Sequence, residues 1–307
     1  MKKAIIIFIL FVPFAAFGQQ FPFTDGYSVN PFNFSPAFAG LVRSKTLFMD
    51  YRSDWSGIDG GPKTYQLSYS RRFKNKVGLG ARFIYDKADI FKQTLFIGTY
   101  TYEVKIKEEH ILNFGLSAGL YRNVIDLSKY FNDPGYVEDV ALIYGQQKSL
   151  LKFATDISFL YRFKHYEAGM VFSNIMFGTV KYHNSDMTYK PFSNYLFHTA
   201  YLFDLDDRWS IKPVVILRGG QNVPLQFEIS QTLAWKNRFW LTTLFRTNGI
   251  LGLGVGCEIY DGFLLNYSYD LNNNLTAHVS INTYGSNELT LGIRLFKPDK
   301  EGPIQDK

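Results

Sequence analysis

Few side chains in this sequence are spaced for chemistry. His278 and Ser280 stand two apart, so on a strand they would project from one face, the geometry a Ser–His hydrolase could use. No oxyanion donor is legible beside them, and His-x-Ser arises easily in a Ser- and Thr-rich stretch. Gly252-x-Gly254-x-Gly256 is superficially like a nucleotide loop, but it lies inside an alternating run and no helical pattern follows it. The five histidines, His110, His165, His183, His198 and His278, are scattered, without the paired spacing of a metal site. No catalytic residue, metal or cofactor is expected. A better lead is the set of charges that fall opposite the apolar face of alternating runs: Arg82, Asp156, Arg162, Glu258 and Arg294. Such residues either line an ion path or pair across an interior and close it.

The elements that would position them are strands. Of 307 residues, 46% are hydrophobic, 20% charged and 18% aromatic, with 29 Phe and 21 Tyr, so neither a disordered chain nor a disulfide scaffold fits. The lone Cys257 has no internal partner. A formal charge of +6 is no argument for nucleic acid. Residues 1–18 read as a signal peptide, with Lys2 and Lys3 before an apolar run and Ala16-Phe17-Gly18 as the cleavage site. Beyond them no apolar run approaches the ~18 to 20 residues of a spanning helix. Residues 19–45, rich in Phe, Pro and Asn, are expected as an irregular N-terminal periplasmic segment docking on something apolar.

From there the period is two. Leu251, Leu253, Val255, Cys257 and Ile259 oppose Gly252, Gly254, Gly256, Glu258 and Tyr260, and Leu112 to Leu120 alternate in the same way against Asn113 to Tyr121. Glycine, small polar residues and single charges on the second face suit a polar or filled lumen beside a lipid-facing side. Rings near strand ends (Tyr51, Tyr85, Tyr121, Tyr161, Tyr260, Tyr269, Phe296) favour membrane interfaces over a soluble sandwich. Short connections near 73–76, 107–110, 164–165, 205–207, 236–238 and 261–262 alternate with longer or more irregular ones at 53–63, 87–93, 122–150, 175–194 and 219–224. This places the N-terminus and the short turns in the periplasm. A first count gives fifteen strands. Bacterial barrels have even counts, so Leu275 to Tyr284 is assigned to an outer loop and the expectation is an all-β, transmembrane antiparallel β-barrel of about fourteen strands over residues 46–296, with sixteen the alternative. Residues 297–307 form a polar tail.

The order of short motifs identifies a family resemblance. Ser35-Pro36-Ala37-Phe38-Ala39-Gly40, Arg52-Ser53-Asp54-Trp55-Ser56-Gly57-Ile58 and Gly61-Pro62-Lys63-Thr64-Tyr65 resemble the PorP/SprF outer-membrane proteins of type IX secretion and gliding motility in Bacteroidetes. The resemblance continues through Asp126-Leu127, Pro213, Trp235, Arg246, Tyr267-Ser268-Tyr269-Asp270 and Ser286-Asn287-Glu288-Leu289, nearly the whole chain in order. Ser35, Asp54 and Asn287 depart from the usual Asn, Gln and His. The resemblance implies a non-enzymatic outer-membrane protein. It would bind or anchor secreted surface cargo bearing a C-terminal sorting domain, with links to the periplasmic ring or a peptidoglycan-binding lipoprotein; a diffusion channel or solute transporter is the alternative. Its partners would be outer-membrane lipids and those proteins, not nucleic acid. The matching positions Pro36, Ala37, Gly40, Arg52, Trp55, Gly57, Pro62, Thr64, Tyr267, Tyr269, Asp270 and Glu288 are the motif residues expected to close the rim or bind a partner. Loop aromatics Tyr130, Phe131, Tyr136, Tyr182 and Tyr189 are the expected cargo contacts, since rings on loops held by a rigid barrel suit protein recognition.

Overall fold

A computed structural model describes residues 24–42, 45–126, 150–176, 180–181, 188–189, 194–220, 223–247, 249–272 and 284–295. Among them no helix is long and apolar enough to cross a membrane, and the crossing elements are strands. Fourteen of these close into one antiparallel barrel: β1 (Lys45–Ser53), β2 (Lys63–Lys74), β3 (Val77–Ala88), β4 (Phe91–Lys105), β5 (His110–Ile125), β6 (Leu150–Phe163), β7 (Tyr166–Met176), β8 (Asn194–Tyr201), β9 (Trp209–Gly220), β10 (Val223–Trp235), β11 (Phe239–Arg246), β12 (Ile250–Tyr260), β13 (Phe263–Asn272) and β14 (Ser286–Leu295). Closure joins β1 to β14 from Lys45 opposite Leu295 through Ser53 opposite Asn287. Two minor pairings lie outside this set: Phe203–Asp204 adds to β9, and Val180–Lys181 pairs with Thr188–Tyr189.

The expected count of fourteen is met because β13 pairs directly with β14, Phe263 with Ile293 through Asp270 with Ser286. No barrel strand can lie between them. Residues 273–283, which hold most of the alternating Leu275–Tyr284 run together with His278 and Ser280, fall outside the described residues, as do the signal segment 1–18 and the tail 297–307. The turns at one end follow the sequence reading. At the other end two connections are tighter than expected: β3 joins β4 through Asp89 and Ile90, Asp89 taking a left-handed φ of 49°, and only two residues separate β9 from β10.

Alternation sets the two faces. On β1, Thr46, Phe48, Asp50 and Arg52 are buried while Leu47, Met49 and Tyr51 are exposed. An exposed apolar face on every side of a closed barrel is what lipid contact requires. Rings collect at both margins. At the long-loop end Tyr51, Tyr65 and Tyr85 run in a row with centroids 5.0 and 6.2 Å apart. At the short-turn end cations sit over rings, Arg71 over Phe73 at 5.2 Å and Lys236 over Trp235 at 4.7 Å. Tyr121 departs from the expected interfacial set. It shares the parity of Asn113 and Ser117, so it points inward and is buried with Ile84, Leu95, Ile97 and Ala154.

The largest departure concerns the N-terminal segment. From Thr24 onward the described part of it is not outside the barrel. It runs through the lumen as three short 3-10 turns, Asp25–Ser28, Pro31–Asn33 and Pro36–Phe38. Pro31 and Pro36 each open a turn, where their fixed φ is already suited and no N–H is needed. Its outer end meets Arg52 and Glu288 near the long loops. Its inner end reaches the short-turn mouth, where Thr101 donates to the Ala39 carbonyl at 2.8 Å. The apolar surface that the segment was expected to find belongs to the barrel itself and to its own rings: Phe32, Ala37, Phe38 and Ala39 pack with Leu160.

Of the expected inward charges, Arg82, Asp156 and Arg162 are ion-paired, while Arg294 and Glu258 meet backbone groups. Arg82 meets Asp156 at 2.7 Å and also donates to the carbonyl of Asn33; Arg162 meets Glu103 at 3.1 Å. Arg294 donates to the Val29 carbonyl at 3.5 Å, and Glu258 accepts from the Gly262 amide at 2.5 Å. Glycines on the inner wall admit the segment. A Cβ at Gly78 would lie 2.2 Å from the Ala39 oxygen, and Gly40 itself has φ of 69° with Arg71 backbone 2.5 Å from any added Cβ. Backbone faces backbone there, so Gly78→Val is expected to lower folding stability by about 1–3 kcal/mol. The check is the urea midpoint in detergent micelles; a value equal to the parent's would mean that the segment moves aside at no cost.

Candidate functional site

The candidate site lies where the segment's outer end meets the barrel wall. Asp25 is the only charged residue between Lys3 and Arg43. Its carboxylate accepts from Arg52 Nη1 at 2.7 Å and from Arg246 Nη2. Arg52, at the end of β1, also holds Asp54 at 2.8 Å, Asp270 at 2.7 Å and Glu288 at 3.1 Å. Arg246, at the end of β11, holds Asp270 at 3.2 Å and Glu228 through Nε. Within this cluster four carboxylates, from Asp25, Glu228, Asp270 and Glu288, converge on two guanidinium forks, and all six side chains are buried. Planar five-donor forks are what such multiple recognition needs, and a lysine could not supply it.

Backbone and ring atoms complete the contact. Glu288 accepts from the amides of both Asp25 and Gly26 at 2.7 Å. A Cβ on Gly26 would lie 2.5 Å from Asp50 Oδ1 and 2.8 Å from Thr290 Oγ1, so a larger residue there would displace these side chains. Tyr27 puts its ring among Val171, Leu196, Ile216 and Leu244, and its hydroxyl donates to Glu228 and lies 2.8 Å from Ser230 Oγ. Further in, Asn30 donates to Ser68 at 2.8 Å, Asn33 to Asp50 at 3.1 Å, and the Ala37 amide to Ser158 at 2.8 Å. Every few residues, then, the segment is held by the wall. Tyr27→Phe removes the hydroxyl from two buried acceptors and is expected to cost about 1–3 kcal/mol, read as a lower urea midpoint with the barrel intact. No change in midpoint would show that the hydroxyl contacts contribute nothing.

Arg52 also ties the lumen to the rim through Asp54. There the two loops flanking β1 and β14 are stitched together: Ser56 N donates to Gly285 O and Tyr284 N to Ser56 O, both at 2.8 Å. Asn287 donates to Ser56 Oγ at 2.9 Å, Tyr269 to the Tyr284 carbonyl at 2.7 Å and Tyr267 to Asn287 at 2.5 Å. Gly57, with φ of 92°, lies against the Tyr284 ring, and Asp54 N donates to Pro62 O at 2.9 Å. Thr64 donates to Asp86 at 2.8 Å. Above this frame Trp55, in a left-handed conformation with φ of 50°, is 42% exposed, and Tyr284 is 77% exposed.

The motif residues singled out from the sequence therefore fall into three places. Pro36, Ala37 and Gly40 belong to the lumen segment; Arg52, Asp270 and Glu288 meet in the buried cluster; Trp55, Gly57, Pro62, Thr64, Tyr267 and Tyr269 build the rim. Of the loop aromatics, Tyr130, Phe131, Tyr136 and Tyr182 lie outside the described residues, and Tyr189 sits on the minor Thr188–Tyr189 strand. Sequence reasoning missed Asp25, Tyr27 and Glu228. Two had a signal: Asp25 is alone in a long uncharged stretch, and Glu228 is the single charge on β10.

A closed, lipid-facing barrel whose lumen is threaded by its own chain defines an integral outer-membrane β-barrel of the filled kind. Among solved structures it is similar to the outer membrane protein Omp33 of Acinetobacter baumannii, with a TM-score of 0.51 at 9% identity over 83% of this chain and 100% of that one. A Pseudomonas aeruginosa FadL homologue matches with a TM-score of 0.49 at 8% identity over 84% and 92%. At 9% identity the likeness to Omp33 speaks to fold alone. No curated protein matches the chain. The chain belongs to the PorP/SprF family of type IX secretion system membrane proteins, whose family model matches residues 16–293.

Proposed function

We propose that this barrel is an anchor of type IX secretion that holds secreted surface proteins with a C-terminal sorting domain at the outer membrane. Its short-turn end would face the periplasmic ring or a peptidoglycan-binding lipoprotein, and its rim and long loops the cargo. The observation that carries this reading over a diffusion channel is the lumen segment: a bore crossed by the chain's own backbone, with Arg82 paired to Asp156 and Arg162 to Glu103 on its wall, is poorly suited to passing solute. The stitched rim supports it as well, because Trp55 and Tyr284 present rings on an ordered frame, the kind of surface in which binding energy concentrates. Tyr130, Phe131, Tyr136, Tyr182 and Tyr189 would extend this surface. Export by the signal segment 1–18 completes the proposal.

Two measurements on the native protein test it. In planar bilayers the purified barrel should be electrically quiet, and crosslinking in native outer membranes should recover a large surface protein. A stable open pore of porin size would overturn the anchor reading in favour of the channel. Trp55→Ala should leave the barrel's heat-modifiable migration unchanged while reducing the crosslinked surface protein several-fold, since an aromatic anchor commonly contributes about 2 kcal/mol or more. Undiminished crosslinking would remove the rim from the contact surface.

A further inference from the structure

The geometry points to the outer lumen as a preformed receptor for a short acidic peptide, occupied by the chain's own Asp25-Gly26-Tyr27 and able to take a second peptide of the same chemistry. The wall reads each of the three residues separately. Arg52 and Arg246 clamp the carboxylate, Glu288 takes two consecutive amides, Asp50 and Thr290 close on the glycine so that a Cβ there would displace them, and a ring pocket ends in the acceptors Glu228 and Ser230. All the polar reading groups stand on the wall, on β1, β10, β11 and β14, and the ring pocket is built by β7, β8, β9 and β11 together with Phe34, a part of the segment that stays in the bore, 5.8 Å from the Tyr27 ring.

The receptor does not need its resident ligand to keep its shape. Arg52 is held by Asp54 and Asp270, and Arg246 by Asp270 and Glu228, all three of these carboxylates on the barrel or its rim. Departure of Asp25 would thus leave both forks oriented, the condition under which a site binds without a prior ordering cost. The two ends of the segment are held by different means: residues 32–39 by an apolar cluster with Leu160, Asp25 and Gly26 by ion pairs and hydrogen bonds from the wall, and Tyr27 by its ring cluster and two hydroxyl contacts. Exchange would accordingly involve residues 24–28 and leave the remainder in the bore. This inference stands apart from the anchor reading, since it concerns the lumen and not the surface cargo.

The probe is a fluorescein-labelled peptide, Thr-Asp-Gly-Tyr-Ser-Val-Asn, titrated against the full chain in detergent micelles. With the resident ligand weakened by Asp25→Ala and Tyr27→Phe, both outside the wall, saturable binding is expected at least about tenfold tighter than with the parent chain, since each lost charged hydrogen bond is worth about that factor. Peptides carrying Asn for Asp or Ala for Gly should bind about tenfold more weakly or worse. Equal affinity for parent and variant, or indifference to the Asn and Ala peptides, would overturn the proposal. Because the variant has to fold, the parent chain is tested in parallel with a photoreactive benzoylphenylalanine in place of the peptide tyrosine. Crosslinks on β7 to β11 around Val171, Ile216 and Ser230 are expected; crosslinks confined to the outer surface or the loops would overturn it. Surface cargo captured normally by a chain that fails both tests would leave the anchor reading standing alone.

Discussion

Arg52→Ala should lower the stability of the barrel by about 3–5 kcal/mol, the largest single-site effect expected in the molecule. The side chain makes ion pairs with Asp25, Asp54, Asp270 and Glu288, and it is only 5% exposed. Its removal leaves Asp25, Asp270 and Glu288 sharing a buried space with one guanidinium fewer, and a buried charge without a counter-charge is far more costly than a broken surface pair. Arg52→Lys should fall between, because an ammonium keeps the charge but lacks the planar fork. The physical origin is checked by taking charges away from both sides. Arg52→Met combined with Asp25→Asn and Asp270→Asn should recover more than half of the loss, since neutral replacement of a whole buried network is far milder than breaking it. Urea unfolding in micelles, followed by tryptophan fluorescence, measures all of these. If Arg52→Ala lies within about 1 kcal/mol of the parent, a range typical of an exposed pair, the cluster is solvated and the tight packing around Asp25 is not what holds it.

Deleting residues 24–38 should turn an electrically quiet barrel into a conducting one. Once the segment is gone, the inner wall presents Ser68, Ser70, Thr101, Ser117, Ser158 and Thr290, together with the glycines that had admitted it, and such a surface takes up water. Gly40 and the chain leading into β1 are kept, so the closing pair of β1 with β14 is untouched. The deletion also exposes Leu160 and His198, which now face Phe34 and Phe38, with ring centroids of Phe34 and His198 4.9 Å apart. A fall in thermal stability is therefore expected alongside the conductance. Heat-modifiable migration establishes that the barrel is folded, after which single-channel recording reads the outcome. A folded deletion variant as quiet as the parent would show that the remaining wall charges, such as Arg82 with Asp156, block the bore unaided.

Period-two alternation, turn chemistry and the demand for an even count were enough to read a fourteen-stranded membrane barrel from the chain. Each is a local property: parity decides which face a residue occupies, and two-residue signals such as Asp261-Gly262 end one strand and start the next. The same locality explains the misses. Tyr121 was grouped with the interfacial rings by its position near a strand end, whereas parity, the stronger constraint, turns it inward. Asp89 tightens a connection that composition had marked as irregular.

What the sequence could not supply was convergence. Asp25 and Glu288 are 263 residues apart, and Arg52 and Asp270 218 apart, and nothing in their spacing brings them together. They meet because the barrel closes in one register, β1 on β14, so that inward residues at the long-loop ends of β1, β11, β13 and β14 share a level, and a slip by one residue would turn each of them toward lipid. The N-terminal segment is the clearest case. Its rings and prolines announced a chain seeking an apolar surface, yet that surface did not exist until fourteen strands had closed around it. Alternation, being local, was legible in the chain; the filled lumen, being a property of closure, was decided by the tertiary structure alone.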